Sequence, residues 1–106
     1  MIQFFNCFEV PAGQEDEFFR LWTEVNHYMV TKPGYVSHQL HRSVDADARY
    51  RFLNHGVWRS AEHWRAAHDQ GFRALVSRPE WAAFTSTPGL YDVVHEGSVD
   101  PVPALG

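Results

Sequence analysis

Cysteine occurs once in this chain of 106 residues, as Cys7. A single thiol excludes an intramolecular disulfide and a multi-cysteine zinc site. Basic residues are also sparse. Nine Lys and Arg stand against thirteen Asp and Glu, a net charge of −4 with the histidines neutral. They are scattered, whereas a phosphate backbone requires clustered cations, so nucleic acid is set aside as a partner. No run of about 20 apolar residues occurs, and no basic segment leads into an apolar stretch at the start. The reading is a soluble, cytoplasmic protein with no membrane partner. Phosphate loops, dinucleotide fingerprints, Ser–His–Asp spacings and internal repeats are absent too.

What is present is aromatic: Phe, Trp and Tyr make up 15% of residues. The length suits one domain with a modest core, which favours burying further apolar surface between copies. That domain is assigned to residues 1–97. Residues 98–106 hold two prolines and no pattern, and read as an irregular tail.

Alternation over residues 2–10 predicts a strand. Ile2, Phe4, Asn6, Phe8 and Val10 share one face; Gln3, Phe5, Cys7 and Glu9 share the other. Residues 14–32 predict an amphipathic helix through Phe18, Leu21, Trp22, Val25 and Met29, with acids in its first turn. Pro33-Gly34 closes it. Residues 35–43 predict a second strand, with Val36, His38, Leu40 and Arg42 opposite Tyr35, Ser37, Gln39 and His41. Residues 49–58 predict a third, carrying Phe52, Asn54, Gly56 and Trp58 on one face; the two strands form a hairpin. Ser60 then caps a helix reaching Leu75, provided that Gly71 does not interrupt it. Trp64 and His68 stand four apart on one face of it, and Phe72 extends their stripe. Pro79 opens a short helix with Trp81 and Phe84 inward, Pro88-Gly89 ends it, and residues 90–96 form a last strand. The order β-α-β-β-α-β predicts an α+β, ferredoxin-like fold with an antiparallel sheet.

Three residues carry candidate chemistry. Asn6 is a lone amide on an apolar strand face, and an unsatisfied buried polar group costs about 1–3 kcal/mol. It is either a core amide bonded to a neighbour such as Asn54, or it faces a ligand. Trp64 either packs in the core or lines a cavity, where its indole N–H could donate to a carbonyl or quinone oxygen. His68 titrates near neutrality, as a base at pH 7 must, unless it is a solvated helix residue beside Asp69. Phe4, Phe8 and Phe72 would wall a cavity there, and Asn54 and Arg51 could reach a cavity or an interface. Cys7 reads as an inert buried thiol. His38, His41 and His55 occupy the hairpin, but His38 and His41 point to opposite faces, so no metal site is expected.

Several of these pieces recur together. Asn6 lies in the first strand with Gly13 at the following turn. Lys32-Pro33-Gly34-Tyr35 enters the second strand, Val57-Trp58-Arg59-Ser60 leaves the third, and R-A-L-V-S-R-P-E-W runs from Arg73 to Trp81. In this order and spacing the chain, over residues 2–96, resembles the antibiotic biosynthesis monooxygenase superfamily. The resemblance implies a homodimer of ferredoxin-like subunits, a dimeric α/β-barrel, with a cavity between sheet and helices in each subunit. It also implies cofactor-independent oxidation of aromatic, polyketide-like molecules by O2, or haem binding and degradation, or a non-catalytic role. The haem-degrading branch uses a strand Asn, matched by Asn6, with a Trp and a His whose positions here fall near Ala67 and near Leu75 or Val76. The cofactor-independent branch uses a strand Asn and a helix Trp to hold substrate and O2, again with Asn6 the clearest match.

The expectation is therefore a cofactor-independent monooxygenase oxidising a planar phenolic or anthrone-type molecule with O2. His68 would be the base, and Asn6 and Trp64 would hold oxygens. The rivals are a haem-handling protein with His68 as axial ligand, and a non-catalytic small-molecule-binding dimer. The dimer would form through the sheet face that carries Phe5 and Cys7.

Overall fold

The structure, a computed structural model, describes residues 1–99. Its elements run β1 (Ile2–Glu9), α1 (Glu15–Met29), β2 (Tyr35–Arg42), β3 (Phe52–Trp58), α2 (Ala61–Ala67), α3 (Gln70–Val76), a 3-10 turn (Pro79–Ala83) and β4 (Thr85–Tyr91). The strands form one antiparallel sheet in the order β2-β3-β1-β4. This is the ferredoxin-like arrangement expected from the order of the elements.

The alternation in β1 and β3 builds the core directly. Phe4 and Phe8 of β1, and Phe52 and Trp58 of β3, are buried on one sheet face. The apolar stripe of α1 covers them, and Phe18 and Leu21 are fully buried. Each such side chain is worth about 1.5–3 kcal/mol in area removed from water. The core falls into two clusters. Phe8, Phe18, Leu21, Trp22, Phe52 and Phe84 form one, and Phe4, Met29, Trp58 and Ala67 the other.

Three local departures from the sequence expectation shape the molecule. The helix expected from Ser60 to Leu75 is two helices. Ser60 caps α2 as anticipated, its Oγ accepting from the His63 N–H at 3.1 Å. The break comes at His68–Asp69, not at Gly71: Asp69 adopts extended backbone and its carboxylate accepts the Phe72 N–H at 3.0 Å, opening α3. Gly71 is helical and small for packing reasons, because a Cβ there would collide with the Tyr28 hydroxyl.

In β2 the pairing with β3 slips between Tyr35 and Ser37, leaving Val36 as an extra residue. The bulge turns Tyr35 to the same face as His38, not to the face of Ser37 and His41 that simple alternation assigned to it. The strand itself is entered through Gly34, whose φ of +86° and contact with the His63 ring admit no side chain.

The last strand is β4 at Thr85–Tyr91, not residues 90–96, of which 92–96 have no regular structure. Pro88-Gly89 lies within it. A proline is tolerated there because β4 is an edge strand, where a missing N–H need not serve a neighbour. The boundaries at 14–32, 35–43 and 49–58 also contract by one to three residues. Of the expected tail, residues 98–99 carry no regular element and the remainder lies outside the described residues. Among the described residues no helix is long and apolar enough to cross a membrane.

Candidate functional site

The middle of β1 lies between two neighbours in register: Asn6 stands opposite Asn54 on β3 and Pro88 on β4. Both amides project to the face covered by the helices. They do not bond one another. The Oδ1 of each is buried and without a hydrogen-bond partner among the described residues, and so is the Trp64 Nε1. Buried polar atoms are nearly always paired, so three orphans together call for an occupant that pairs them.

All three border one cavity of about 460 Å³ between the sheet and the helices. Its size is that of a small-molecule site. Phe4, Phe8 and Phe72 form apolar walls, so all seven residues singled out from sequence as catalytic or substrate-binding line the same space. The four tryptophans, Trp22, Trp58, Trp64 and Trp81, line it as well.

His68 is held with care. It is the C-cap of α2, and its Nδ1 lies 2.6 Å from the Trp64 carbonyl oxygen. A carbonyl only accepts, so Nδ1 carries the proton and Nε2 keeps a lone pair. The ring packs 4.2 Å from Trp64 and 4.4 Å from Phe72, centre to centre, with Phe4 at 6.3 Å. Burial lowers its pKa below the ordinary 6.5; the bond to Trp64 and the nearby Asp69 offset this only in part. The imidazole is therefore neutral at pH 7.

Asp69, the next residue, locks the joint. Besides capping α3 it accepts the Tyr28 hydroxyl on both oxygens, at 2.7 and 2.8 Å, and the Lys32 ammonium at 2.6 Å. Lys32 foremost, then Tyr28 and the Phe72 N–H, holds this carboxyl far below the usual range. The end of α1 is thus tied to the α2–α3 joint from which His68 enters the cavity.

Some cavity residues escaped the sequence reading. Tyr35 reaches it through the bulge, and its hydroxyl bonds His38 Nδ1, while Asn26 Nδ2 lies 3.4 Å from His38 Nε2. Burial pushes the Tyr35 phenol up to about 12. Ser86 and Pro88 come from the strand that the sequence placed too late. Arg51 bonds the Ser43 carbonyl and does not border the cavity. His55 lies on the opposite sheet face, stacked on Phe5 at 4.6 Å with its Nε2 on Gln3 Oε1, so it does not meet His38. Cys7, on that face, is partly exposed, not buried as expected. Among the described residues no three His, Cys, Asp or Glu are grouped to hold a metal ion.

The sequence profile of antibiotic biosynthesis monooxygenases matches residues 1–86. The chain belongs to that family. Within it, two curated relatives from strains of Mycobacterium tuberculosis, each a mycobilin-producing haem oxygenase, are 32% identical over 78 residues. The match takes in 74% of this chain and spans 65% of the length of those relatives. Among solved structures, SnoaB, a cofactor-independent oxygenase from Streptomyces nogalater, is 27% identical with a TM-score of 0.75, covering 90% of this chain and 94% of that one. A candidate monooxygenase from Shewanella loihica PV-4 is 29% identical with a TM-score of 0.79, covering 90% and 95%. The family thus brings this chain near both cofactor-independent and haem-degrading proteins.

Proposed function

We propose that the protein is a monooxygenase that oxidises a planar phenolic or anthrone-type molecule with O2 and without a bound cofactor. One observation carries this: Asn6, Asn54 and Trp64 present unpaired buried polar atoms to one aromatic-walled cavity that also holds the free Nε2 of His68. Two amides and an indole can fix oxygens of a flat substrate, and a neutral imidazole can remove its proton.

For an anthrone the balance is simple. His68 Nε2 takes a proton from the ring CH2, and the delocalised carbanion gives its electrons to O2, forming a C–O bond. The proton returns to the peroxide. Loss of the second C–H proton together with hydroxide cleaves the O–O bond and leaves a carbonyl and water. As charge develops on the peroxide the unpaired Trp64 indole N–H can donate to it, while the unpaired Oδ1 atoms of Asn6 and Asn54 can accept from substrate hydroxyls. While protonated, His68 stays packed against the Trp64 and Phe72 rings, whose centres lie 4.2 and 4.4 Å from its own.

The rival haem reading has the curated relatives behind it, and His68 Nε2 could serve as an axial ligand. The residues present do not fit the group. Ala67, buried, and Leu75 or Val76 stand where the resemblance places the haem branch's Trp and His, and among the described residues no Lys or Arg lines the cavity to meet two propionates. A non-catalytic binder would use the same cavity. The subunits are proposed to pair as a homodimer through the sheet face bearing Phe5 and Cys7.

Oxidation of a hydroxylated anthrone under 18O2 tests the proposal. One labelled oxygen should enter the new quinone carbonyl, faster than in buffer, and His68→Ala should return the rate to background. A Soret band that tracks protein on haem titration, with no anthrone turnover, would select the haem reading instead.

A further inference from the structure

Among the described residues twenty line the cavity, and none of them is Asp, Glu, Lys or Arg, although those four types make up 21% of the chain. The cavity is nevertheless polar in places. Asn6, Asn26, Asn54, Ser86, Tyr35 and Trp64 offer hydrogen bonds there from neutral groups, and His38 lines it too, its ring nitrogens taken up by Tyr35 and Asn26. His68 is neutral as well, and its Nδ1 proton is committed to the Trp64 carbonyl. The nearest ion pair, Lys32 with Asp69, is satisfied within itself, and neither partner lines the cavity.

From this we infer that the site selects uncharged substrates and excludes both carboxylate-bearing and cationic aromatics. The inference rests on the functional reading above and narrows its substrate class. A charge moved from water into such a cavity loses hydration and finds no counter-ion, a loss that hydrogen bonds from amides only partly replace. A resident carboxylate would do further harm. It would hold His68 protonated, and a protonated His68 cannot act as the base. The only anion the cavity is built to hold is the one made inside it, when a neutral substrate gives its proton to His68. The imidazolium so formed is a counter-ion for that anion. Substrate charge and protein charge thus appear together and vanish together.

Three isosteric probes test this on the intact chain: anthraquinone-2-carboxamide, anthraquinone-2-carboxylate and 2-(aminomethyl)anthraquinone, the last two ionised at neutral pH. Because all four tryptophans border the cavity, quenching of their fluorescence reports occupancy without any turnover. The carboxamide should bind roughly tenfold or more tightly than either charged probe. The cationic probe matters because the chain's net charge of −4 would by itself attract it. If either charged probe binds within tenfold of the carboxamide, or more tightly, the selectivity for neutral molecules is wrong while the aromatic site stands. If none of the three binds, the planar-aromatic reading falls and takes this inference with it.

Discussion

Replacing Asn6 with Leu should make the protein more stable and less functional. Asn and Leu branch at the same carbon, and the position faces a cavity, so the extra methyl bulk has room. The Asn6 Oδ1 is buried without a partner, and such an atom costs about 1–3 kcal/mol. Water entering the cavity repays part of that cost, so the low end applies. Removal of the amide should stabilise the chain by about 1 kcal/mol, and Leu adds contacts with Phe4 and Phe8 on the same face. For a chain of this length that corresponds to a rise in melting temperature of about 4–8 °C. Asn54→Leu should behave alike, but the two stand opposite in register, so their effects should not simply add. Binding should move the other way. Loss of one hydrogen bond to a ligand oxygen, about 0.5–1.5 kcal/mol, weakens affinity by up to about tenfold. Calorimetric melting and tryptophan quenching by anthraquinone-2-carboxamide measure the two sides. An Asn6→Leu protein that melts lower and binds as before would mean that the amide holds the fold together, and the site would lose its central residue.

The pH dependence follows from His68. A base acts when deprotonated, and burial keeps its pKa below 6.5, so turnover should be flat above pH 6.5 and fall at lower pH. The same shift means that below pH 6.5 the unfolded chain binds more protons than the native one. Stability should therefore decline as pH falls through that region, and His68→Gln should flatten the decline seen in urea melts. Gly71→Ala, which helix propensity alone would favour by about 1 kcal/mol, should instead destabilise, since the new methyl meets the Tyr28 hydroxyl. A double-mutant cycle with Tyr28→Phe should show the penalty shrinking; an unchanged penalty would place the conflict elsewhere. Light scattering at micromolar concentration should return the mass of two chains, and a single-chain mass would refute pairing through the Phe5 face.

The floor of the cavity was legible because a strand has an exact period of two. Once Phe4 and Phe8 were assigned inward, Asn6 had to lie between them, and Asn54 followed from the same count on β3. The pairing of Trp64 with His68 was legible from helical spacing. What escaped was set by contacts distant in sequence or by single backbone residues. Asp69 breaks the helix through a side-chain cap reinforced by Tyr28 and Lys32, some forty residues earlier, and no local pattern announces it. The bulge at Val36 inverted the assignment of Tyr35. The β4 strand was placed too late because Pro88-Gly89 reads as a stop unless the strand is known to sit at an edge.

The break at His68–Asp69 divides the site into parts of different permanence. The floor belongs to the sheet, where changing one residue disturbs two neighbouring strands. The lid beyond the break is α3, seven residues with none fully buried, held at its start by Asp69 and contributing Phe72 and Val76 to the cavity. Such a segment is an exchangeable cassette. Natural variation or a designer can rewrite it to admit a different flat molecule, while the amides and the imidazole stay where the scaffold put them.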